Sequence, residues 1–425
     1  MKRVAVHTLG CKLNFSESSD MVRQFVERGY QVVDFKGVAD VYVINTCTVT
    51  SIAEKKCRTA IHHAVNTNPD AIVAVVGCFS QVNAQEISKI KGVDIILGNA
   101  DKHLLAQHVE QFQQSCKPQH TVAPMGSGDT FVPTFSTGDR TRSFFKVQDG
   151  CDYFCTYCEI PFARGRSRSA TVAETVEVAR RIAATGVKEI VLTGINTGEF
   201  GKQHGESFFQ LIKELDRVEE VSRYRISSIE PNLLTDEMID FIAQSRAFLP
   251  HFHIPLQAGS NAVLQLMKRR YTTELYSARL HKIKSVMPDA CIAADVIVGF
   301  NGETDNEFEN ASLFIESLPI SYLHVFTYSE RPGTRALAME GKVPVNVRRE
   351  RSKVLHGISD RKKEIFYKEN YGTAHKVLWE SDVHDGQMFG FTENYIRLKT
   401  SFDENKVNTV ENVVVAAENA ILSAE

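Results

Sequence analysis

Short β-branched runs alternate with helix-period segments twice along this chain, and that alternation leaves little room for anything but parallel sheets. In the first 110 residues, segments 4–9, 41–45, 72–77 and 93–97 read as strands, and 16–28, 52–66 and 84–91 read as helices. From residue 143 to 328 the pattern resumes. Strands are expected at 144–148, 190–193, 224–229, 251–256, 291–298 and 322–328, with helices at 172–184, 236–245, 273–286 and 305–318. Six βα units in that span predict an open or partial (βα)6 barrel. Residues 113–141 hold Pro118, Pro124 and Pro133 and little periodicity, which reads as a linker. Residues 345–368 read as a long charged helix, and the short alternating segments 376–379, 395–399 and 413–416 as a small β-barrel. The expected chain is therefore α/β. It has an N-terminal parallel α/β domain (1–112), a linker (113–141), a barrel with a basic C-terminal helix (142–368) and a small β-barrel (369–425).

Nine cysteines in 425 residues are too sparse, and too odd in number, for a disulfide-stapled secreted fold. No run reaches about 18 apolar residues, so no membrane helix is expected. The apolar stretch after Met1-Lys2-Arg3 is broken by His7, Cys11 and Lys12, too early for a signal peptide. A reducing cytoplasm is expected, where thiols are free to bind metal.

Three thiols crowd into eight residues as Cys151-Asp152-Tyr153-Phe154-Cys155-Thr156-Tyr157-Cys158. Soft thiolates at this density select zinc or an iron–sulfur cluster. A closed zinc site needs a fourth ligand nearby, and the nearest histidines are His120 and His204. Three protein ligands leave one metal position open for chemistry. A second set, Cys11, Cys47 and Cys78, is scattered in sequence, but each member follows the end of a different predicted strand. Strand C-termini of a parallel sheet share one edge, so these thiols can converge. Cys57, Cys116 and Cys291 have no such placement and read as ordinary buried or linker cysteines.

The Cys-x3-Cys-x2-Cys run at the end of the first barrel strand resembles the radical S-adenosylmethionine (radical SAM) superfamily. The two cysteine sets together resemble the radical methylthiotransferases. Supporting motifs are Asn45-Thr46-Cys47, Cys158-Glu159-Ile160-Pro161-Phe162-Ala163-Arg164-Gly165, Pro255-Leu256-Gln257-Ala258-Gly259-Ser260 and Tyr328-Ser329-Glu330-Arg331-Pro332-Gly333-Thr334. The resemblance implies two 4Fe-4S clusters and two S-adenosylmethionine molecules per turnover. The cluster on Cys11, Cys47 and Cys78 would carry the transferred sulfur, which one S-adenosylmethionine methylates. The cluster on Cys151, Cys155 and Cys158 would split the second to give an adenosyl radical. Both sets would thus be metal ligands and catalytic. The radical would activate an inert C–H position that acid–base catalysis cannot reach.

By the same resemblance, Tyr157, Gly194, Asn196, Ser228, Glu230, Gln257 and Val298 would contact S-adenosylmethionine, and the C-terminal β-barrel would be of the TRAM type. Gly10-Cys11-Lys12-Leu13-Asn14 with Cys47-Thr48-Val49-Thr50 resembles the branch acting on N6-threonylcarbamoyladenosine at tRNA position 37. The branch acting on isopentenyladenosine usually has Gly-Cys-Gln-Met-Asn, and the branch acting on a ribosomal-protein side chain Gly-Cys-Pro-Lys-Asn; these are the alternatives. The implied partners are the tRNA anticodon loop with adenosine 37 and an electron donor such as flavodoxin or ferredoxin. A monomer without membrane contact is expected. One departure is Gly299-Phe300-Asn301-Gly302-Glu303-Thr304, where the family commonly has proline in place of Asn301. Losing proline frees that loop's backbone.

A net charge of −3 hides a strong asymmetry. Residues 331–368 carry 11 Lys and Arg against 4 Asp and Glu, and residues 369–425 carry 4 against 10. Arg348 and Arg349 in the basic helix, Arg164, Arg166 and Arg168 past the radical motif, and Arg397 in the tail are candidate RNA contacts. Lys399 could add charge in the tail. Phe389, Phe391 and Tyr395 could stack on bases there, with at least one of them expected in the core.

Overall fold

The β-branched runs do build parallel sheets. The computed structural model describes residues 1–126, 130–138 and 141–422. In the N-terminal part, β1 (Arg3–Thr8), β2 (Gln31–Val32), β3 (Val41–Thr46), β4 (Ile72–Gly77), β5 (Ile95–Leu97) and β6 (Gln119–Thr121) form one sheet in the order β2-β1-β3-β4-β5-β6. Every pairing in it is parallel. The central strand β3 is buried at all six positions, because helices cover both faces. Strand β6 lies within the stretch expected to be linker. It adds to the sheet edge through Ile95–Gln119 pairing, so the first domain runs past residue 112. The rest of the expected linker includes 127–129, 139 and 140, which lie outside the described residues.

The second part holds β7 (Ser143–Lys146), a short antiparallel pair β8 (Gln148–Asp149) and β9 (Arg168–Ser169), then β10 (Glu189–Thr193), β11 (Arg223–Ile226), β12 (His251–His253), β13 (Cys291–Val298) and β14 (Tyr322–Thr327). Two parallel three-stranded sets, β7-β10-β11 and β12-β13-β14, are joined by parallel bridges at Tyr224–Phe248 and Ser228–His253. The result is a six-stranded open barrel whose outer face packs into a continuous core under the helices. Those helices begin where the sequence supplies caps. Thr171 and Ser207 form capping boxes with Glu174 and Gln210, and Thr235, Thr272 and Thr304 cap through their hydroxyls. Asn301 does not leave its loop loose. Its side chain is buried and donates to the Ala336 carbonyl at 2.8 Å, which holds the loop by a hydrogen bond in proline's absence.

The helix Val345–Glu369 leads into β15 (Ala374–His384), β16 (Gln387–Thr392), β17 (Arg397–Ser401) and β18 (Val410–Val414). They form a curled antiparallel sheet in the order β17-β16-β15-β18, with a register shift between Trp379 and Val383 that bends it. This sheet docks under the barrel through buried arginines. Arg223 and Arg225 both pair with Glu189 at 2.9 Å. They also donate to the carbonyls of Lys376, Phe391, Thr392 and Glu393. No helix among the described residues is long and apolar enough to cross a membrane.

Candidate active site between two thiol-bearing edges

Strands β1, β3 and β4 are neighbours, and a cysteine follows each. Cys11 stands at the start of the helix Lys12–Glu27, Cys47 follows Thr46, and Cys78 opens the helix Cys78–Ile87. The approach of the first two loops is close enough to require glycine. At Gly10 (φ +101°) an added Cβ would lie 2.8 Å from Cys47 Cβ and 2.9 Å from its Sγ. Asn14 locks the loops by donating to the carbonyls of Leu9 (2.7 Å) and Thr46 (2.9 Å). The three strands are adjacent, so the thiols share one sheet edge; burial raises the Cys47 thiol to about 12, and the Cys78 and Cys11 thiols add to the rise. Cys57 lies beside this group. Its thiol donates to the Cys47 carbonyl at 3.5 Å and accepts from the Cys47 amide at 3.4 Å, which places it under the loop as a support. Cys116 is exposed at a helix end and Cys291 is buried in β13.

At the barrel's facing edge, Cys151, Cys155 and Cys158 lie on the loop between β8 and the helix Ile160–Arg164. Burial raises Cys158 to about 12, with Cys155 next in effect, and Cys151 is raised by burial and then by Glu199, Cys158 and Cys155. Arg269 donates to Cys155 Sγ at 3.1 Å and pairs with Glu230. Tyr157 is half-buried and meets Phe300 edge-on, with centroids 6.0 Å apart. Gly194 has no room for a side chain, since a Cβ would lie 2.9 Å from Gln148 Oε1. The Asn196 amide N–H donates to that same oxygen at 2.9 Å. The side chain of Asn196 is 2% exposed, and neither polar atom of its carboxamide has a partner. Ser228 accepts from Thr197 through its carbonyl, while the buried Ser227 hydroxyl is unpartnered. Gln257 sits at φ +65°, and its carbonyl accepts from Ile297 N at 2.9 Å. Val298 packs in the helix-covered core with its carbonyl taken by Tyr328 N, so it offers no free polar group.

Two polar networks bring the edges together. Thr48, next to Cys47, donates to Glu159, next to Cys158, at 2.9 Å. Arg331 binds the same carboxylate at 2.9 Å and also pairs with Glu54. In the second network Arg164 is wholly buried. It donates to Cys78 Sγ (3.2 Å), Asp149 (2.9 Å), Asn14 (2.5 Å) and Glu17 (3.1 Å). Lys102 and Lys146 add 2.5 and 3.0 Å contacts to Glu17. Burial opposes ionisation of Glu17, but Arg164, Lys102 and Lys146 hold its carboxyl well below the usual range.

These contacts correct three of the expected RNA contacts. Arg164 and Arg168 are inside the network, Arg168 pairing with Asp149 at 3.1 Å. Arg348 is buried against Glu330 and the carbonyls of Val343 and Tyr328. A guanidinium buried against its acceptors is not presented to an outside phosphate. Arg166 and Arg349 are exposed, and Arg397 is half-exposed with its guanidinium over the Phe389 ring. Phe391 is buried and stacks on Tyr395 at 4.7 Å, facing the barrel. Thr48, Glu159 and Arg331 lie inside the motifs quoted above but without a role, and Arg269 and Glu17 lie outside them, because their roles come from contacts between segments far apart in the chain.

Residues 3–98 match the uncharacterized protein family UPF0004, and residues 145–315 match the Radical SAM superfamily. The chain also superposes on a radical S-adenosylmethionine methyltransferase, TsrM, from Kitasatospora setae. The TM-score is 0.58 at 14% identity over 79% of this chain and 74% of that one. An α/β sheet domain set against a radical SAM barrel is thus the class of this molecule. The chain is 41% identical to a threonylcarbamoyladenosine tRNA methylthiotransferase of Bacillus subtilis, over 98% of this chain and 94% of that protein. It is 38% identical to the Aquifex aeolicus protein of the same name, over 93% and 96%. It is 33% identical to a tRNA-2-methylthio-N(6)-dimethylallyladenosine synthase of Bacillus licheniformis, over 90% and 76%. The chain belongs to the threonylcarbamoyladenosine tRNA methylthiotransferase family.

Proposed function

We propose that the chain converts N6-threonylcarbamoyladenosine at tRNA position 37 to its 2-methylthio derivative. The observation that carries this reading is the facing of two three-thiol edges, tied by the Thr48–Glu159 hydrogen bond between neighbours of Cys47 and Cys158. Relatives of that activity match along nearly the full chain.

The residues present fit the implied groups. Each edge offers three thiols, a donor set suited to an iron–sulfur cluster with one iron left open. The unpartnered Asn196 carboxamide and Ser227 hydroxyl are buried polar atoms that a polar ligand would satisfy. A 4Fe-4S cluster with S-adenosylmethionine on Cys151, Cys155 and Cys158 supplies one-electron chemistry strong enough to open an unactivated C–H bond. The chain's own groups do the positioning. Arg269 and Arg164 each place a cationic donor on a thiol sulfur, and at Cys155 the Arg269 charge opposes the upward push of burial. The Glu159–Arg331–Thr48 contacts hold the two loops at a set separation.

Arg166, Arg349 and Arg397 remain the basic contacts open to tRNA, and the curled C-terminal sheet acts as a TRAM-type RNA module. The enzyme works as a monomer in the cytoplasm, drawing electrons from a flavodoxin or ferredoxin. The test is nucleoside mass spectrometry of tRNA from a strain lacking the gene. The 2-methylthio-threonylcarbamoyl nucleoside should vanish, return with the wild-type gene, and stay absent with Cys151→Ala. An unchanged nucleoside profile refutes the reading.

A further inference from the structure

We propose that Lys12 and the open lumen of the barrel form a subsite for the carboxylate on the N6 substituent of the target nucleoside. This rests on the function proposed above.

The inward face of the barrel is solvent-accessible on the β12–β14 side. Parallel pairing sets His253 opposite Ala293 and Asp295 opposite His324. Side chains alternate across a strand, so His253, Asp295, His324 and Phe326 share one face. Their neighbours Phe252, Ala294, Val296 and Leu323 point the other way and are buried under the helices. The inward face stays accessible: His324 is exposed and Phe326 is 46% exposed. In a packed barrel core those positions would be closed. The face is also polar. His253 Nε2 and Asp295 Oδ1 are 2.8 Å apart, and the His253 and His324 rings lie 5.4 Å apart. Deeper on the same face, His251 is 5% exposed, and neither ring nitrogen has a hydrogen-bond partner among the described residues. A buried ring with both nitrogens unpaired points to a polar ligand in that space.

Lys12 is the cation that reaches this lumen from the other domain. It opens the helix Lys12–Glu27, and Phe15, one turn on, meets Phe144 of β7 edge-on at 5.7 Å. Residues three apart share a helix face, and helical side chains lean toward the N-terminus. Lys12 therefore overhangs the gap beside β7. The ammonium lies within electrostatic reach of His251, His324, Asp295 and Tyr395, with Arg225 and Arg142 also acting on His251 and Tyr395 from the floor of the barrel. The ammonium is half-buried and has no hydrogen bond or ion pair among the described residues. An unpaired cation at the mouth of a polar cavity gains most from an anionic ligand group. A threonylcarbamoyl substituent carries a carboxylate, whereas a dimethylallyl substituent is uncharged and apolar.

The test measures equilibrium binding of the unreduced holoenzyme to anticodon stem-loop RNAs. Position 37 carries threonylcarbamoyladenosine, its carboxyl methyl ester, or plain adenosine. Wild type should prefer the free acid over the ester by about tenfold to a hundredfold, the size of one charge-assisted contact. Lys12→Met should bring that ratio close to one while leaving affinity for the plain-adenosine RNA unchanged, and Lys12→Arg should keep most of it. The control Lys36→Ala, at an exposed lysine between β2 and β3, should not alter it. Iron content reports whether the variants still load. Equal binding of acid and ester by wild type overturns the inference without need of any variant. Equal weakening of all three RNAs by Lys12→Met also overturns it, since Lys12 would then serve a phosphate or the fold. If wild type discriminates but makes no 2-methylthio product on reduction, the subsite stands and the proposed reaction fails.

Discussion

Replacing Arg164 with methionine separates two roles that a surface arginine and a buried one would play. The guanidinium makes five hydrogen bonds, to Cys78, Asp149, Asn14 and, twice, Glu17. Removing one partner of a buried pair costs about 3–5 kcal/mol when the other charge is stranded. Here stranding is incomplete. Glu17 keeps Lys102 and Lys146, and Asp149 keeps Arg168. The expected loss is therefore near the lower bound, about 3 kcal/mol, and methionine fills most of the vacated space. For a cooperative unit of 150–250 residues this lowers Tm by roughly 6–12 °C. A second effect follows from charge. Among the described residues, Lys102, Lys146, Arg164 and Arg168 pair with two carboxylates, Glu17 and Asp149, and the positive excess lies beside Cys78. Losing Arg164 should weaken metal retention at the Cys11, Cys47 and Cys78 edge. Circular-dichroism melts at one fixed scan rate and iron analysis measure both effects. A variant with unchanged Tm and iron content but weaker tRNA binding would refute the buried-network assignment and restore the arginine to the RNA surface.

Alanine at Cys151, Cys155 and Cys158 together should leave about four of about eight irons per chain, measured by iron and sulfide analysis; complete loss would contradict two independent sites. Burial favours protonation of Glu189, but Arg225, Arg223 and Arg142 outweigh it and hold the carboxyl at about 2. Its folded value lies below the unfolded one, so its contribution, about 3 kcal/mol, is present above pH 4.5 and lost as pH falls toward 2. Glu189→Gln should flatten the acid limb of stability in that window, as read by urea midpoints. Arg349→Ala should reduce the salt dependence of tRNA binding by about one counterion. Arg348→Ala should instead lower Tm and leave the slope unchanged, because its guanidinium is spent on Glu330, Val343 and Tyr328.

Local chemistry alone determined much of this protein. Alternating β-branched and helix-period segments specify parallel sheets, because each pattern buries one face only when the next element covers it. The three thiols within eight residues and the cysteines after β1, β3 and β4 are likewise legible in the sequence. These features depend on neighbours in sequence, and a strand end is a local event.

Tertiary structure decided what the charges do. Arg164, Arg168 and Arg348 look like an RNA surface when counted along the chain. Folding instead pairs them with carboxylates up to 147 residues away, as Arg164 is with Glu17. The same holds for Gln119–Thr121, a linker by composition and a sheet edge by pairing, and for Lys12, which looks across a lumen to residues on three distant strands. Burial, and with it the strength of every ion pair, is set by which segments meet. A linear pattern carries no information about that meeting, so the thiols' places at strand ends are readable from sequence and the cationic groups beside them are not.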